Sequence, residues 1–375
     1  MAAVLGGHED IVRQLVERQD TNINTLSLTA MADAIVAGEE DLAKLFVTRK
    51  DLAINARFQE ATVSPLERDC PALALASYVS LTEVVRAILA RDDVNVNCYA
   101  PGLPPMLGEE VVEHATPLTL AVMGDHKEIV ELLMKHPKIK PNLDNSNGYN
   151  PVMSAVVRGH VPILKTLMKH RGIGIHSFDL DGRTPLIEAV SRGYEAIVQI
   201  LCQSEFLQDG GEDSTGQTAL MMAASMGNER MAAMLLSHEF VETHQENSDG
   251  VTALAFAAES GHVSIVKRLL HPGFGNEGPK KRHLSQALLK ATMFQHFNVI
   301  DVLRGYIKSL PKDAFQGVPD EHAAESEFES AFESGSESES DSDSDLAVPS
   351  ALLSVFPSSG DSPDRSQTPS DNQIL

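Results

Sequence analysis

The stretch AVSRGYEAIVQIL, residues 189–201, decides the fold, because it recurs. Copies stand at AVVRGHVPILKTL (155–167), AASMGNERMAAML (223–235) and AAESGHVSIVKRL (257–269). The glycine dividing each copy falls at Gly159, Gly193, Gly227 and Gly261, each 34 residues from the next. The register extends back to Asp125 in AVMGDHKEIVELL and forward to Gln295 in ATMFQHFNVIDVL. Weaker copies place the same slot at Gly7, Gly38 and Ser80, which gives nine units. A fixed period of this length marks an array of small units, each unable to bury its apolar face alone.

One unit can be read as local chemistry. In Asp181-Gly182-Arg183-Thr184-Pro185-Leu186, Asp-Gly supplies a turn whose glycine adopts positive φ freely. Thr184 caps a helix by accepting backbone N–H bonds, and Pro185 takes the first helical position, where its missing N–H costs nothing. A short helix follows with Leu186, Ala189 and Val190 on one face, and Gly193 ends it in the left-handed conformation. A second helix from about Ala196 turns Ile197, Val198, Ile200 and Leu201 to the core. Thr218 and Thr252 repeat the cap, and Asn150 stands in the same position after Asn147-Gly148. Small residues such as Ala155, Ala189, Ala223 and Ala257 allow close helix stacking. A thin core of Leu, Ile, Val and Ala explains the absence of Trp.

The pieces TPLTLAVMGDHKEIVELL (116–133), DGRTPLIEAVSRG (181–193) and DGVTALAFAAESGH (249–262) closely resemble the ankyrin repeat. The resemblance spans residues 1–308. It implies an all-α solenoid of about nine helix-turn-helix units, placed at residues 1–310, with an acidic tail at 311–375. One departure stands out: the histidine of the family's T-P-L-H is replaced by Thr119, Met153, Ile187, Met221 and Ala255. Losing a Thr–His hydrogen bond in each turn leads us to expect somewhat weaker repeats. The resemblance also implies non-enzymatic protein binding on the face built from turn tips and the exposed ends of first helices. There it places Tyr149, Arg158, Asp181, Arg183, Arg192, Gln217, Met226, Asp249 and Glu259. The three neighbouring arginines, with Tyr149 beside them, are residue types enriched at interface hot spots and suggest an acidic peptide partner.

Two insertions break the period: the slots at Gly38 and Ser80 are 42 apart, and Ser80 and Asp125 are 45 apart. The surplus falls at 57–70 and 99–114, both at inter-unit turns, where insertions often serve binding. The first unit lacks its opening turn and cap, leaving Val4 and Leu5 poorly covered. At the other end Gln295, His296, Asp301, Arg304 and Lys308 are expected to face water while Val299, Ile300, Leu303 and Ile307 pack inward, closing the array.

From Pro319 onward the chain carries fourteen acidic residues and one basic one, Arg365, within a total net charge of −23. The low-complexity run ESEFESAFESGSESESDSDSD (325–345) is too charged to collapse and is expected to be disordered. Ser336, Ser338, Ser340 and Ser342 each precede an acid by three residues, and Ser362 and Thr368 precede prolines. All six are candidate phosphorylation sites that would deepen the charge. Acidic residues interleaved with Phe328, Phe332 and LAVPSALLSVF (346–356) allow an alternative reading as a nuclear transcription cofactor whose tail recruits machinery.

Composition and motifs point away from other classes. Net negative charge disfavours nucleic-acid backbones and anionic membranes as partners. No apolar run is long enough to span a bilayer and no secretory leader is recognisable, so a monomer in the cytoplasm or nucleus is expected. Cys70, Cys98 and Cys202 are sparse and read as buried free thiols. Gly273 to Gly278 matches a dinucleotide fingerprint but follows a helix, so it reads as a loop. His238-Glu239 lacks the second histidine of a zinc motif. His8, His126, His160 and His262 recur with the repeat and read as structural. Lys280-Lys281-Arg282 is short for a localisation signal. No catalytic, cofactor or metal site is expected.

Overall fold

In a computed structural model of the chain, the structure describes residues 8–17, 23–56, 70–100, 114–175, 177–203, 211–238, 241–271 and 278–310. The tail with its six Ser/Thr candidates, the bodies of both insertions, Val4 and Leu5, and the 273–277 loop lie outside the described residues.

The described residues form helices α1 Glu9–Glu17, α2 Ile23–Val36, α3 Glu40–Val47, α4 Ala72–Val79, α5 Thr82–Leu89, α6 Pro117–Met123, α7 Lys127–Met134, α8 Pro151–Val157 and α9 Val161–Leu167. They continue as α10 Pro185–Ser191, α11 Glu195–Cys202, α12 Ala219–Met226, α13 Glu229–Leu236, α14 Ala253–Glu259, α15 Val263–Leu269, α16 Lys281–Met293 and α17 Phe297–Ser309. From α2 onward these are eight consecutive pairs; α1 is the second helix of the first unit. First helices pack on first helices and second on second, so one apolar core runs through the units. Among the described residues the only β pairing is two isolated bridges. One of them, Ala100 with Ala115, pins the neck of the second insertion, with the Ala100 N–H donating to the Ala115 carbonyl at 2.9 Å.

Helix starts follow the caps read from sequence. Thr116, Asn150, Thr184, Thr218 and Thr252 each accept the backbone N–H three residues on, at 2.8 to 3.4 Å. Between the two helices of each unit, the slot is left-handed at every described position, even where glycine is absent: Ser80, Asp125 and Gln295 have φ of 73°, 57° and 59°. These short polar or amide side chains tolerate that region better than branched ones do.

A second turn device was missed from the sequence. Asn145, Asp179, Asp213 and Asn247 recur at the same 34-residue period. Each Oδ1 accepts two backbone N–H groups, those two and four residues on. Adjacent tips are also joined, since Ser214 Oγ donates to the Asp181 carbonyl at 2.7 Å and the Ser248 N–H to the Thr215 carbonyl at 3.0 Å.

The replaced T-P-L-H histidine corrects one expectation. Met153, Ile187 and Met221 fill that position fully buried between units. Burying such a side chain contributes about 2 kcal/mol, against about 1 kcal/mol net for a hydrogen bond, so these junctions are not weakened by the exchange. At Thr119 the hydroxyl lies 3.0 Å from that of Thr116 and restores a polar link. Ala255 leaves the position small, as do Ala32 and Ala74 in earlier units.

The last unit corrects another. Gln295, Asp301 and Lys308 are exposed, His296 and Arg304 partly so, and Val299, Ile300 and Leu303 are buried as expected, with Ile307 half-buried. Yet Leu289, Met293, Phe294 and Phe297 are exposed too. Among the described residues, the outer surface of the last unit is therefore partly apolar.

Candidate protein-binding surface

The turn tips and the ends of the first helices form one side of each unit, and the sequence candidates fall on it. Their environments differ. Asp181 and Asp249 are exposed at tips; Gln217 sits at a tip with its N–H bound by Asp213 at 2.9 Å. Met226, at the end of α12, is an exposed apolar residue. Arg158 ends α8, half-buried. Glu259 pairs with Lys290 of the next unit at 3.1 Å.

Arg183 and Arg192 converge on a residue the sequence reading passed over, Glu188 on α10, whose charge also reaches Tyr149. Its side chain is only 5% exposed. Arg192 is ion-paired to one carboxylate oxygen, and Arg183 reaches the other at 3.6 Å. Burial works against the charge on Arg192, but the hydrogen bond and charge of Glu188, aided by Tyr194, outweigh it and hold the guanidinium above its usual range. Burial raises the Tyr149 hydroxyl, and the charges of Asp179 and Glu188 raise it further. Equivalent positions in other units carry Leu75, Leu120, Ser154, Met222 and Phe256, with a buried Asp33 in the second unit and Lys290 in the last. A carboxylate there, four residues before an arginine on one helix, is the signal that was available. Arg183 and Arg192 thus arrive already matched by a carboxylate, and Asp179 and Asp181 lie nearby. The group is a balanced polar centre, not three unopposed positive charges.

The recurrent histidines are structural in a specific way. His126 Nε2 lies 3.1 Å from the Tyr78 carbonyl, His262 Nε2 3.1 Å from that of Ser225, and His296 Nε2 2.8 Å from that of Glu259. A carbonyl only accepts, so Nε2 carries the proton in each. Each bond ties the start of one unit's second helix to the end of the preceding unit's first helix. His160 departs: its Nδ1 sits 3.7 Å from Asp125, and its buried Nε2 has no partner. Among the described residues no three metal-binding side chains converge, and no helix is long and apolar enough to cross a membrane. Cys70, Cys98 and Cys202 are buried free thiols, and burial pushes Cys202 up to about 11, away from the reactive thiolate.

A family model for ankyrin repeats in three copies matches residues 73–179 and 171–245, and the model for the single ankyrin repeat matches 249–276. The chain belongs to the ankyrin-repeat family. Among solved structures, the crystal structure of EF0377, an ankyrin repeat protein, is 25% identical with a TM-score of 0.46, over 52% of this chain and 95% of that one. No curated protein matches. Ankyrin repeats generally mediate protein–protein interaction, and in this ankyrin-repeat protein the surface just described is the one that the turn tips and first helices present.

Proposed function

We propose that this ankyrin-repeat array recruits partner proteins along the turn-tip and first-helix face, with Tyr149, Arg183, Glu188 and Arg192 as its polar centre and Met226 as an apolar neighbour. The observation that carries the reading is the buried Glu188. A buried charge rarely improves stability over an apolar residue, and five sister units place an apolar or small residue at this position, the exceptions being Asp33 and Lys290. What Glu188 does supply is two guanidinium groups held in place at the surface, which lowers the ordering cost of binding. Because the centre is balanced in charge, it suits a segment of mixed polarity. The purely acidic peptide suggested by the three arginines alone is less favoured here.

Affinity purification followed by quantitative mass spectrometry tests this. Proteins retained by the unaltered chain are expected to fall about tenfold or more with Tyr149→Ala combined with Met226→Glu, as removal of hot-spot residues does. The melting temperature is expected to hold, because neither side chain is fully buried. An unchanged set of retained proteins would remove the proposal.

A further inference from the structure

The turn fingers that lead into α8, α10, α12 and α14 share one plan, and one finger breaks it. Fifteen residues before the slot stand Asp144, Glu212 and Glu246, and thirteen before it stand Ser146, Ser214 and Ser248. In the finger before α10 those places hold Phe178 and Leu180, which are 53% and 80% exposed. Among the described residues from 23 to 280, the other exposed large apolar side chain is Met226. The polar counterparts tie the array together. Ser214 Oγ donates to the Asp181 carbonyl, Glu212 accepts from Gln245, and Glu246 pairs with Arg282 and His283. Phe178 and Leu180 have no side-chain polar atom for such a bond, and their exposure gives them little burial instead. Between them, Asp179 Oδ1 accepts the Asp181 and Arg183 N–H groups at 2.9 and 2.7 Å, so the two side chains flank a fixed turn. A single exposed apolar residue is ordinary. An aromatic and an aliphatic residue two apart, where sister fingers are polar, mark an interaction site. Fixing them before a partner arrives lowers the ordering cost of binding.

The charge around the pair selects its occupant. The four fingers, residues 144–149, 178–183, 212–217 and 246–251, hold seven acids and one base, Arg183. Arg183 is matched by Glu188, and Glu246 by Arg282. That leaves six carboxylates and no spare cation on the fingers. Asp144 and Glu212 stand in the fingers on either side of Phe178, and Asp181 follows Leu180; all three are exposed. Complementary charge steers a partner onto such a surface, and like charge excludes one. The chain's own tail, with fourteen acids after Pro319, is repelled here. So is the same face of a second copy.

We infer that the finger carrying Phe178 and Leu180 docks a basic segment of a partner protein. Large apolar side chains of that segment cover Phe178 and Leu180, while its lysines or arginines meet Asp144, Asp181 and Glu212. The inference rests on the turn-tip reading and narrows it, from a segment of mixed polarity to a basic one with apolar anchors. Its test uses different residues, so the two failures are distinguishable.

The test measures fluorescence anisotropy of two labelled peptides with the full-length chain. One is Lys-Leu-Lys-Lys-Phe-Lys-Lys-Leu-Lys; the other has serine in place of its leucines and phenylalanine. Both carry the same charge, so attraction to the acidic tail is common to them and the readout is the preference for the first. A preference of about tenfold or more is expected, falling to within about twofold with Phe178→Ser plus Leu180→Ser. Asp144→Lys plus Asp181→Lys is expected to weaken the first peptide about tenfold, and rising salt to weaken it further. These positions are exposed, so melting temperatures within about 2 °C of the parent are expected. Leu180→Ser alone, the residue that three sister fingers carry, is expected to cut the preference about threefold and reports even where the double variant does not fold. Equal binding of the two peptides to the parent overturns the inference, and so does a preference that persists in a folded finger variant. A concentration-dependent dimer in sedimentation that Phe178→Ser plus Leu180→Ser dissolves also overturns it, since a second copy is then the occupant. Failure of the turn-tip reading shows separately, in protein capture that Tyr149→Ala plus Met226→Glu leaves intact.

Discussion

Ile187→Lys is expected to unfold the middle of the array, whereas Leu289→Lys, at the equivalent position of the last unit, is expected to leave stability nearly unchanged. Ile187 is 0% exposed, between its own unit and the next. The substitution forfeits about 2 kcal/mol of apolar burial and places an ammonium group where no carboxylate is arranged for it, for a total of about 4 kcal/mol or more. In a linear array stability is carried by nearest neighbours, so the damage concentrates at one junction. Urea denaturation should show a lowered midpoint, and limited proteolysis should show new cleavage near the units on either side of residue 187. Leu289 already faces solvent, so its lysine variant keeps its hydration and should shift the midpoint by less than about 0.5 kcal/mol equivalent. Equal losses in the two variants would mean that both positions are covered in solution.

Gly227→Ala is expected to cost about 3 kcal/mol, and Gly193→Ala about 1 kcal/mol, although both glycines are left-handed. Their φ values are 72° and 75°, so the backbone penalty for an L-residue is the same. The difference lies in the neighbours. A Cβ on Gly227 would come within 2.4 Å of the His262 ring, whereas one on Gly193 meets nothing within 4 Å. Displacing the ring also breaks its bond to the Ser225 carbonyl. Paired denaturation curves decide the matter: equal losses would show that the histidine tie contributes nothing. Serine, aspartate and glutamine already hold left-handed slots elsewhere in this chain, so the backbone penalty alone is tolerable.

Much of the architecture was legible because its causes are local. The 34-residue register located the helix pairs, and Thr184, Thr252 and Asn150 announced their caps by residue type and position. The candidate surface was legible only in outline. Tyr149, Arg183 and Arg192 were identified, but Glu188 was not, since a charged residue on a helix reads as solvated until its burial is known. The Asx turns at Asn145, Asp179, Asp213 and Asn247 share the period and could have been found. The histidine bonds were harder, because His262 meets a carbonyl 37 residues upstream, a pairing that no local pattern encodes.

The amino-acid sequence by itself determined the repeating unit: turn, capped helix, left-handed break, second helix. Each of these is set by bonds and sterics within a few residues. Tertiary structure alone decided what the units do to one another. Ile187 and Leu289 occupy the same place in the period and are both aliphatic, yet one is buried and the other is bare. Burial is a property of the neighbour, and only the assembled array shows where the neighbours stop.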